Sequence, residues 1–479
     1  MEFRTPGQDK SLEQFREHWG RLAPDLGVDE VLEGASGPLG QSLEVSGLRI
    51  GNRFAIHPME GWDGTDDGRP SEDTLRRWRR FGESGAKLLW GGEAFAVQAD
   101  GRANPHQLYL NDAVDTAADL AQLAEAARET HTAAGWSTED LVLGLQLTHS
   151  GRWSRPTAAG PAPRVAFRHP ALDGRSGVSS DAALLTDEEL RCIQARYVRA
   201  AELAHAAGYD FVDVKCCHGY LLHELLAAHT RPGPYGGSFE NRTRFLRETI
   251  EAIRASCPGL VIGVRVSIAD RFPYSPGPDR RGVPAGYEEH LPYRYGFGVD
   301  EGDPRRFDLT ESLAFLGLLR ELEVRLVNLT LGSPYYVPHL QRPAAYPPSD
   351  GYQPHEDPLA QVAEHLRVTR RCREAFPDLV LVGTGYTYLQ EWLAHVAQHE
   401  VRGGHVDLVG LGRMVLSYPD LPADVLAGRP LARRKVCRTF SDCTTGPRSG
   451  LPSGCYPLDD HYRGREDARR LKMIKEGLR

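Results

Sequence analysis

The chain has no hydrophobic run long enough to cross a membrane, since its longest apolar stretches fall short of the roughly 18 residues that a spanning helix needs. The first 19 residues, MEFRTPGQDKSLEQFREHW, are polar and lack the apolar core of a secretory signal. These two absences predict a protein without a membrane partner, and we expect a cytoplasmic location.

Basic clusters are missing as well. The chain carries 57 Lys and Arg against 65 Asp and Glu, which gives a formal net charge of -8. Proteins that bind nucleic acid concentrate positive charge on one surface. We therefore expect no nucleic-acid partner, while homo-oligomerisation stays open.

Cysteine is scarce, with eight residues spread along 479 positions, so a disulfide scaffold is not expected. Reduced thiols or a metal site remain the alternatives. No Gly-x-Gly-x-x-Gly unit follows an apolar run, so the sequence gives no support for a separate dinucleotide domain.

What the sequence does contain is an alternation of short apolar runs with amphipathic helical patterns. This alternation predicts parallel strands joined by helices, and eight repeats favour a closed (β/α)8 barrel, the TIM barrel of the α/β class, over an open sheet. The eight predicted strands begin near Phe54, Lys87, Leu141, Asp210, Val261, Arg325, Leu379 and Val406.

Three segments fall outside this repeat. Residues 1–45 form an N-terminal extension, and residues 46–431 hold the barrel. Within it, residues 270–308 are rich in Pro, Gly, Tyr and Arg, which predicts an ordered lid-like loop after the fifth strand, with a surface insertion as the alternative. Residues 432–479 form a tail that contains three cysteines.

Polar side chains stand where the predicted strands end. Lys215, His218 and Tyr220 follow the fourth strand, Gln146 ends the third and Arg265 ends the fifth. The active sites of such barrels lie at this face. A polar network at the barrel mouth is the alternative interpretation.

The last two strands end in glycine loops, LVGTGYT with Gly383 and Gly385, and LVGLGRM with Gly412 and Arg413. Glycines let backbone N–H groups approach a phosphate, and an arginine adds a fork of donors. Barrels commonly bind phosphate in these two loops. Tight turns without a ligand are the alternative.

These motifs, in this order, resemble the Old Yellow Enzyme family of flavin oxidoreductases over roughly residues 40 to 430. The segment CHGYLLHELLAAHTRPGPYGGSFENRTR is similar to a family run that follows the fourth strand, and NRFAIHPMEG is similar to the family's first strand. The resemblance implies FMN as cofactor, NAD(P)H as electron donor and reduction of an activated C=C bond in a small molecule.

The resemblance also implies roles for individual residues. Lys215, His218 and Tyr220 would be catalytic: His218 with Lys215 would hold the activating carbonyl, and Tyr220 would protonate the α-carbon. Lys215 departs from the family, which has His or Tyr there. The residues that would contact the cofactor are Pro58, Met59, Glu60, Gly92, Gln146, Arg265, Gly383, Gly385, Gly412 and Arg413.

The tail cysteines are similar to those of the family's iron–sulfur branch, which has four cysteines spaced C-x2-C-x3-C-x11-C. Cys443 and Cys455 keep the last interval, Cys437 is one residue out of register and a fourth ligand is missing. Because a four-iron cluster normally takes four thiolates, we expect no cluster but a vestigial site. Buried thiols, or zinc held with His461, are the alternatives.

Two other functions stay open. One is a flavin-dependent dehydrogenase that oxidises an amine or a C–C bond, although a missing cluster ligand argues against single-electron export. The other is a flavin-binding barrel without turnover, against which the retention of His218 and Tyr220 argues.

Overall fold

The computed structural model describes residues 3–477. Its centre is a closed barrel of eight parallel positions, in which the second position is built from two short strands, β4 (Leu88–Leu89) and β5 (Ala94–Ala96). Around the barrel the strands pair in the order β3 (Phe54–Ile56), β4, β6 (Val142–Thr148), β7 (Phe211–Val214), β8 (Val261–Ala269), β11 (Leu326–Leu331), β12 (Val380–Gly383) and β13 (Leu408–Leu411), and β13 pairs again with β3. This closure confirms the predicted (β/α)8 architecture.

The eight barrel strands begin within two residues of their predicted starts, and five further short strands lie outside that prediction. They are β1 (Leu43–Val45), β2 (Leu48–Ile50), β3 (Phe54–Ile56), β4 (Leu88–Leu89), β5 (Ala94–Ala96), β6 (Val142–Thr148), β7 (Phe211–Val214), β8 (Val261–Ala269), β9 (Ser275–Pro276), β10 (Gly282–Val283), β11 (Leu326–Leu331), β12 (Val380–Gly383) and β13 (Leu408–Leu411). The barrel strands are buried almost throughout, because helices cover the outside and side chains fill the interior.

Helices surround the barrel and also form the two terminal segments. They are α1 (Leu12–Leu22), α2 (Glu72–Glu83), α3 (Thr116–Ala133), α4 (Asp173–Ser176), α5 (Asp187–Ala206), α6 (Leu221–Leu226), α7 (Phe239–Ser256), α8 (Thr310–Glu321), α9 (Pro338–Gln341), α10 (Pro358–Ala375), α11 (Leu393–Arg402), α12 (Met414–Ser417), α13 (Leu421–Leu426), α14 (Asp442–Arg448), α15 (Asp460–Arg463) and α16 (Glu466–Gly477).

The start of α5 shows how local sequence sets an element. Thr186 accepts a hydrogen bond from the backbone N–H of Glu189, and Glu189 accepts one from the backbone N–H of Thr186. This reciprocal capping box satisfies two backbone donors that the first helical turn would otherwise leave free.

The N-terminal extension packs on the barrel through α1. Phe15 and Trp19 are buried, and Phe15 also stacks on Trp392. His18 joins the extension to α10, since its Nδ1 lies 3.1 Å from Asp9 Oδ2 and its Nε2 lies 3.4 Å from Asp357 Oδ2.

The insertion 270–308 is ordered around aromatic side chains, with Phe272, Tyr293 and Phe297 buried. Tyr293 Oη contacts His169 Nε2 at 3.1 Å. Among the described residues that line the main cavity, none comes from this insertion, whereas several come from the tail. The lid role of 270–308 stays a prediction.

Candidate active site

A cavity of about 600 Å³ opens at the C-terminal ends of the barrel strands. It brings together residues that are far apart in sequence, which is the arrangement expected for an active site on this fold. The predicted residues that line it are Pro58, Met59, Glu60, Gln146, Lys215, His218, Tyr220, Arg265, Gly385, Gly412 and Arg413.

Gly92 and Gly383 lie outside this lining. Gly92 has φ +40°, and a Cβ there would meet the Trp78 ring at 2.4 Å, so glycine is needed for packing. Its carbonyl accepts from Arg77 Nη1 at 2.9 Å. Gly383 ends β12, and its neighbour Thr384 reaches the cavity instead.

Asp213 organises the floor of the cavity. Its Oδ2 accepts hydrogen bonds from Gln146 Nε2 and from Trp90 Nε1, both at 2.6 Å, and its Oδ1 accepts from the backbone N–H of Arg265 at 2.7 Å. Burial raises the pKa of Asp213 against these stabilising contacts. Because the Gln146 nitrogen is held by Asp213, its amide orientation is set.

Arg265 supplies a cation beside this floor. The side chain is buried, and within the described chain its Nε has no hydrogen-bond partner. Burial lowers the pKa of Arg265, while Cys217 and Asp213 oppose that shift. A buried, incompletely satisfied guanidinium is suited to an anionic or polar ligand atom.

The glycine loops and Arg413 form a second subsite. Gly385 has φ +102°, a conformation that favours glycine, and a Cβ on Gly412 would meet nothing within 4 Å. Arg413 donates from Nη2 to the Pro343 carbonyl at 2.8 Å, and its buried Nη1 has no partner among the described residues. The uncrowded backbone at Gly412 and the unpaired N–H of Arg413 together suit the binding of a phosphate group.

His57 supports this subsite from β3. Its Nε2 lies 3.0 Å from Thr384 Oγ1, and its Nδ1 lies 3.1 Å from Asn328 Nδ2. Burial, with the Arg265 charge, lowers the pKa of His57 well below its ordinary value. A Cβ on Gly410 would meet the imidazole at 2.1 Å, so this glycine allows the ring to sit there.

The turn after β7 has a constrained backbone. His218 has φ +68°, which is uncommon outside glycine, and Gly219 continues the turn at φ +76°. The backbone N–H of His218 donates to Ser267 Oγ at 2.9 Å, and Ser333 Oγ donates to the His218 carbonyl at 2.7 Å. Strand β8, through Ser267, and the loop after β11, through Ser333, thus hold a backbone conformation that projects the functional side chains.

Tyr220 stands at the centre of a hydrogen-bonded group. Its hydroxyl donates to Glu60 Oε2 through a short hydrogen bond and lies 2.8 Å from the Tyr335 hydroxyl. Tyr335 in turn stacks on Trp153, with ring centroids 4.5 Å apart and planes 5° apart. Burial, and then the charge of Glu60, raise the pKa of Tyr220 well above its ordinary value.

Lys215 Nζ lies 3.9 Å from the centroid of the Tyr220 ring, which is within cation–π range. Lys215 is only 3 % exposed, and this burial lowers its pKa. Burial, with repulsion from Lys215 and Arg265, lowers the pKa of His218 well below its ordinary value. His218 is therefore neutral near pH 7, and Gln341 Nε2 approaches its Nε2 at 3.2 Å.

The loop after β11 and the tail provide a basic wall. Arg342 donates to Thr444 Oγ1, and Arg448 donates to the Pro334 carbonyl at 3.2 Å. Burial, then repulsion from Arg413 and Arg448, lower the pKa of Arg342 to about 9. The tail thus completes the cavity that the barrel begins.

The side chains of His149 and Arg152 form hydrogen bonds and ion pairs with neighbouring parts of the chain. Arg152 is buried with Glu224 and Asp173, and donates to the Phe167 carbonyl at 2.7 Å. Burial lowers the pKa of His149 to about 4, and its Nδ1 accepts from the backbone N–H of Gly151 at 3.1 Å.

Sequence reasoning missed several side chains. Asp213 had a visible signal, because FVDV places a single acid inside an apolar strand. Tyr335 also had a visible signal, because the segment GSPYYVP places two adjacent tyrosines directly after the sixth barrel strand. Trp153 and Arg342 sit in irregular loops, and nothing local marked them.

The three tail cysteines differ in exposure. Cys443 lines the cavity, whereas Cys437 and Cys455 are buried, and burial raises the pKa of both. His461 Nε2 lies 2.9 Å from Asp73 Oδ1. Within residues 3–477, no group of three or more His, Cys, Asp or Glu side chains could hold a metal ion. The vestigial-site interpretation stays a prediction.

No helix in the described range 3–477 combines the length and apolar character that a membrane crossing requires.

Two solved structures illustrate the proteins that share this fold. A 2-naphthoyl-CoA reductase complex matches with a TM-score of 0.62 at 18% identity, covering 89% of this chain and 57% of that chain. Old Yellow Enzyme from Pichia sp. AKU4542 matches with a TM-score of 0.56 at 20% identity, covering 83% of this chain and 89% of that chain. At these identities the likeness shows the fold.

Sequence relatives cover a shorter segment. An NADH:flavin oxidoreductase of Gibberella zeae is 33% identical over 247 residues, which are 48% of this chain and 57% of the relative. An NADPH dehydrogenase of Geobacillus sp. (strain WCH70) is 31% identical over 242 residues, which are 48% of this chain and 63% of the relative. The chain thus spans less than two thirds of the length of these relatives.

The family profile described as NADH:flavin oxidoreductase / NADH oxidase matches residues 39–277, a segment that holds β3 to β8 together with Gln146, Lys215, His218, Tyr220 and Arg265. Residues 39–277, which make up about half of the chain, thus belong to the NADH:flavin oxidoreductase / NADH oxidase family.

Proposed function

We propose that the protein is an FMN-dependent oxidoreductase that uses NAD(P)H to reduce an activated C=C bond in a small molecule. The observation that carries this proposal is the convergence of Gln146, Arg265, Arg413 and the Lys215–His218–Tyr220 turn on one cavity at the barrel mouth. The relatives named as NADH and NADPH flavin oxidoreductases support it.

The cavity fits FMN by its donors. Arg413 and Gly412 offer a guanidinium N–H and open backbone for the phosphate. Arg265 and Gln146 offer a cation and an oriented amide for the pyrimidine edge of a flavin. Pro58 and Met59 line the same cavity. When bound, FMN would supply a two-electron carrier between the nicotinamide and the alkene.

The protein's own residues then have distinct tasks. His218, neutral at pH 7, hydrogen-bonds the activating carbonyl of the substrate, and Lys215 adds positive charge beside it. Tyr220 gives its hydroxyl proton to the α-carbon, since its raised pKa keeps the hydroxyl protonated. Trp153 and Tyr335, stacked at one side of the site, exclude water.

The two half-reactions test this function. Purified protein reconstituted with FMN should show flavin absorption, and anaerobic titration with NADH and with NADPH should bleach it and identify the preferred donor. In Tyr220→Phe this reduction should persist, whereas reoxidation by 2-cyclohexenone should slow by about 10²- to 10⁴-fold. Failure of both nicotinamides to bleach the flavin would refute the function, and unchanged reoxidation in the variant would remove the role of Tyr220.

A second candidate is the oxidation of an amine or a C–C bond. The observation that favours it is the Glu60 carboxylate, because it accepts the Tyr220 proton and could act with it as a base. Bleaching of FMN by a candidate amine without any nicotinamide would support this direction.

A further inference from the structure

We propose that Glu60 is the proton reservoir of Tyr220, so that protons reach the substrate along a two-step relay from Glu60 through the Tyr220 hydroxyl. The proposal rests on the proposed function, since it assumes that Tyr220 protonates the substrate. It assigns to Glu60 a role different from the cofactor contact expected from its place after Pro58 and Met59.

The contacts of Glu60 carry the argument. Its Oε2 accepts a hydrogen bond from the Tyr220 hydroxyl. Its Oε1 accepts from Trp62 Nε1 at 3.2 Å and from Asn104 Nδ2 at 3.3 Å. Three donors from three separate segments thus fix the carboxylate against Tyr220, while Glu60 keeps partial exposure that allows exchange with solvent.

The chemistry of Tyr220 requires such a partner. If Tyr220 gave up its proton beside an ionised Glu60, a phenolate and a carboxylate would stand within hydrogen-bond distance inside a buried site. Like charges at that distance disfavour joint ionisation. In the proposed relay this conflict does not arise, because Tyr220 receives a proton from the Glu60 carboxyl group as it protonates the substrate.

The proton and electron balance is complete. Two electrons and one hydrogen reach the β-carbon as hydride derived from NAD(P)H. The α-carbon forms a C–H bond with the Tyr220 proton, the Tyr220 oxygen regains a proton from the Glu60 carboxyl group, and water returns a proton to Glu60. Tyr335, 2.8 Å from the Tyr220 hydroxyl, and Lys215, above its ring, stabilise negative charge that develops on the oxygen.

A proton inventory tests the relay in the full-length FMN-loaded enzyme. The pre-reduced enzyme is mixed with 2-cyclohexenone in a series of H₂O and D₂O mixtures, and the rate of flavin reoxidation is recorded. Two protons in flight should give a curved, quadratic dependence on the deuterium fraction. In Glu60→Gln the rate should fall by roughly 10²-fold and the dependence should become linear, because one acid–base step is lost.

Trp62→Phe is the matched control, because it removes another hydrogen bond to the same carboxylate and leaves the proton path intact. It should keep the quadratic dependence. Formate should restore part of the reoxidation rate in Glu60→Ala, since a small acid can occupy the vacated space. A loss of rate caused by misplacement of Tyr220 alone would respond to neither measurement.

The possible outcomes distinguish a failure of the relay from a failure of the proposed alkene-reducing function. If wild-type reoxidation is fast but its inventory is linear, or if Glu60→Gln keeps the wild-type curve, the relay is overturned while the oxidoreductase stands. If the wild-type enzyme is not reoxidised by alkenes at all, the proposed function falls first. If Glu60→Gln fails to fold, Glu60→Asp, which keeps the acid, should retain the quadratic curve with a reduced rate, and a linear curve there would contradict the relay.

Discussion

At the scale of single residues, the site contains buried charged groups whose hydrogen-bonding atoms are not all paired within the described part of the chain. Arg413 and Arg342 each have a buried guanidinium N–H without a hydrogen-bond partner in the described part of the chain, and Arg265 has a third. Such groups are costly unless a ligand satisfies them. Because these three groups also line the cavity, we propose that they mark where polar atoms of a cofactor or substrate bind.

Arg413→Ala should weaken FMN binding by about 1.5 to 3 kcal/mol, because a charge-assisted hydrogen bond is lost. Fluorescence titration of the apoprotein with FMN measures the change. Riboflavin, which lacks the phosphate, should bind both proteins equally. Arg429→Ala, which removes an exposed arginine paired with Asp424, should leave FMN affinity unchanged. An equal loss for riboflavin would place Arg413 away from the phosphate.

Lys215→His should change substrate preference. If the buried ammonium of Lys215 pairs with a substrate carboxylate, its replacement removes roughly 1.5 to 3 kcal/mol of binding, which is about 10- to 100-fold in kcat/KM. Turnover of an α,β-unsaturated carboxylic acid should therefore fall by that factor, and 2-cyclohexenone should be spared. Equal effects on the two substrates would exclude a carboxylate partner for Lys215.

At the scale of elements, helix α2 is tied to the barrel by a buried ionic triad. Arg77 bonds Asp63 Oδ1 at 2.9 Å and also pairs closely with Glu93. Burial raises the pKa of Glu93 to about 7, although Arg77 opposes the shift. Within residues 3–477, Arg77 is therefore the one cation paired with both buried carboxylates, Asp63 and Glu93.

Arg77→Met should lower the free energy of unfolding by about 3 to 5 kcal/mol, because it leaves two buried carboxylates without their cation. Arg79→Met is the matched control on the same helix. Arg79 forms an exposed pair with Glu72, so its loss should cost less than about 1 kcal/mol. Urea denaturation followed by tryptophan fluorescence compares the two. Similar midpoints for both variants would mean that the triad contributes little.

At the scale of the whole molecule, both terminal segments fold back on the barrel. The extension is held by His18, which bridges Asp9 and Asp357. Burial alone would lower the pKa of His18, but the hydrogen bonds and charges of Asp357 and Asp9 outweigh it and raise the pKa above its ordinary value. The tail is held by contacts such as Arg76 with Asp459, at 2.9 Å.

The stabilising contribution of His18 should therefore decrease as pH rises above about 6.5. A group whose folded pKa is raised stabilises the fold fully below its unfolded pKa, about 6.5 for His, and loses that contribution as pH passes its folded pKa. The melting temperature of wild type should exceed that of His18→Gln most at the acidic end of a series from about pH 6 to about pH 8, and this difference should shrink as pH rises. His106→Gln, which alters a half-exposed imidazole, should keep the wild-type slope. A wild-type slope in His18→Gln would refute the prediction.

Much of this architecture could be predicted from local patterns. The eight apolar runs lie within two residues of the observed barrel strands, since strand burial and helix periodicity are properties of neighbouring residues. The polar residues at strand ends were visible for the same reason, and most of them line one cavity. The cytoplasmic location, the oligomeric state and the fate of the cysteine site remain predictions.

The sequence by itself determined the barrel, its strand order and the chemical types at its mouth, because alternation, capping and strand-end polarity are encoded within a few residues. The tertiary structure decided which distant groups meet. It brought Glu60, at the end of the first barrel strand, against Tyr220, at the end of the fourth, and set Tyr335 and Trp153 beside them. It also turned Gly92 towards Trp78 and placed tail residues over the cavity. Contacts of this kind depend on barrel closure and loop packing, which no local pattern specifies.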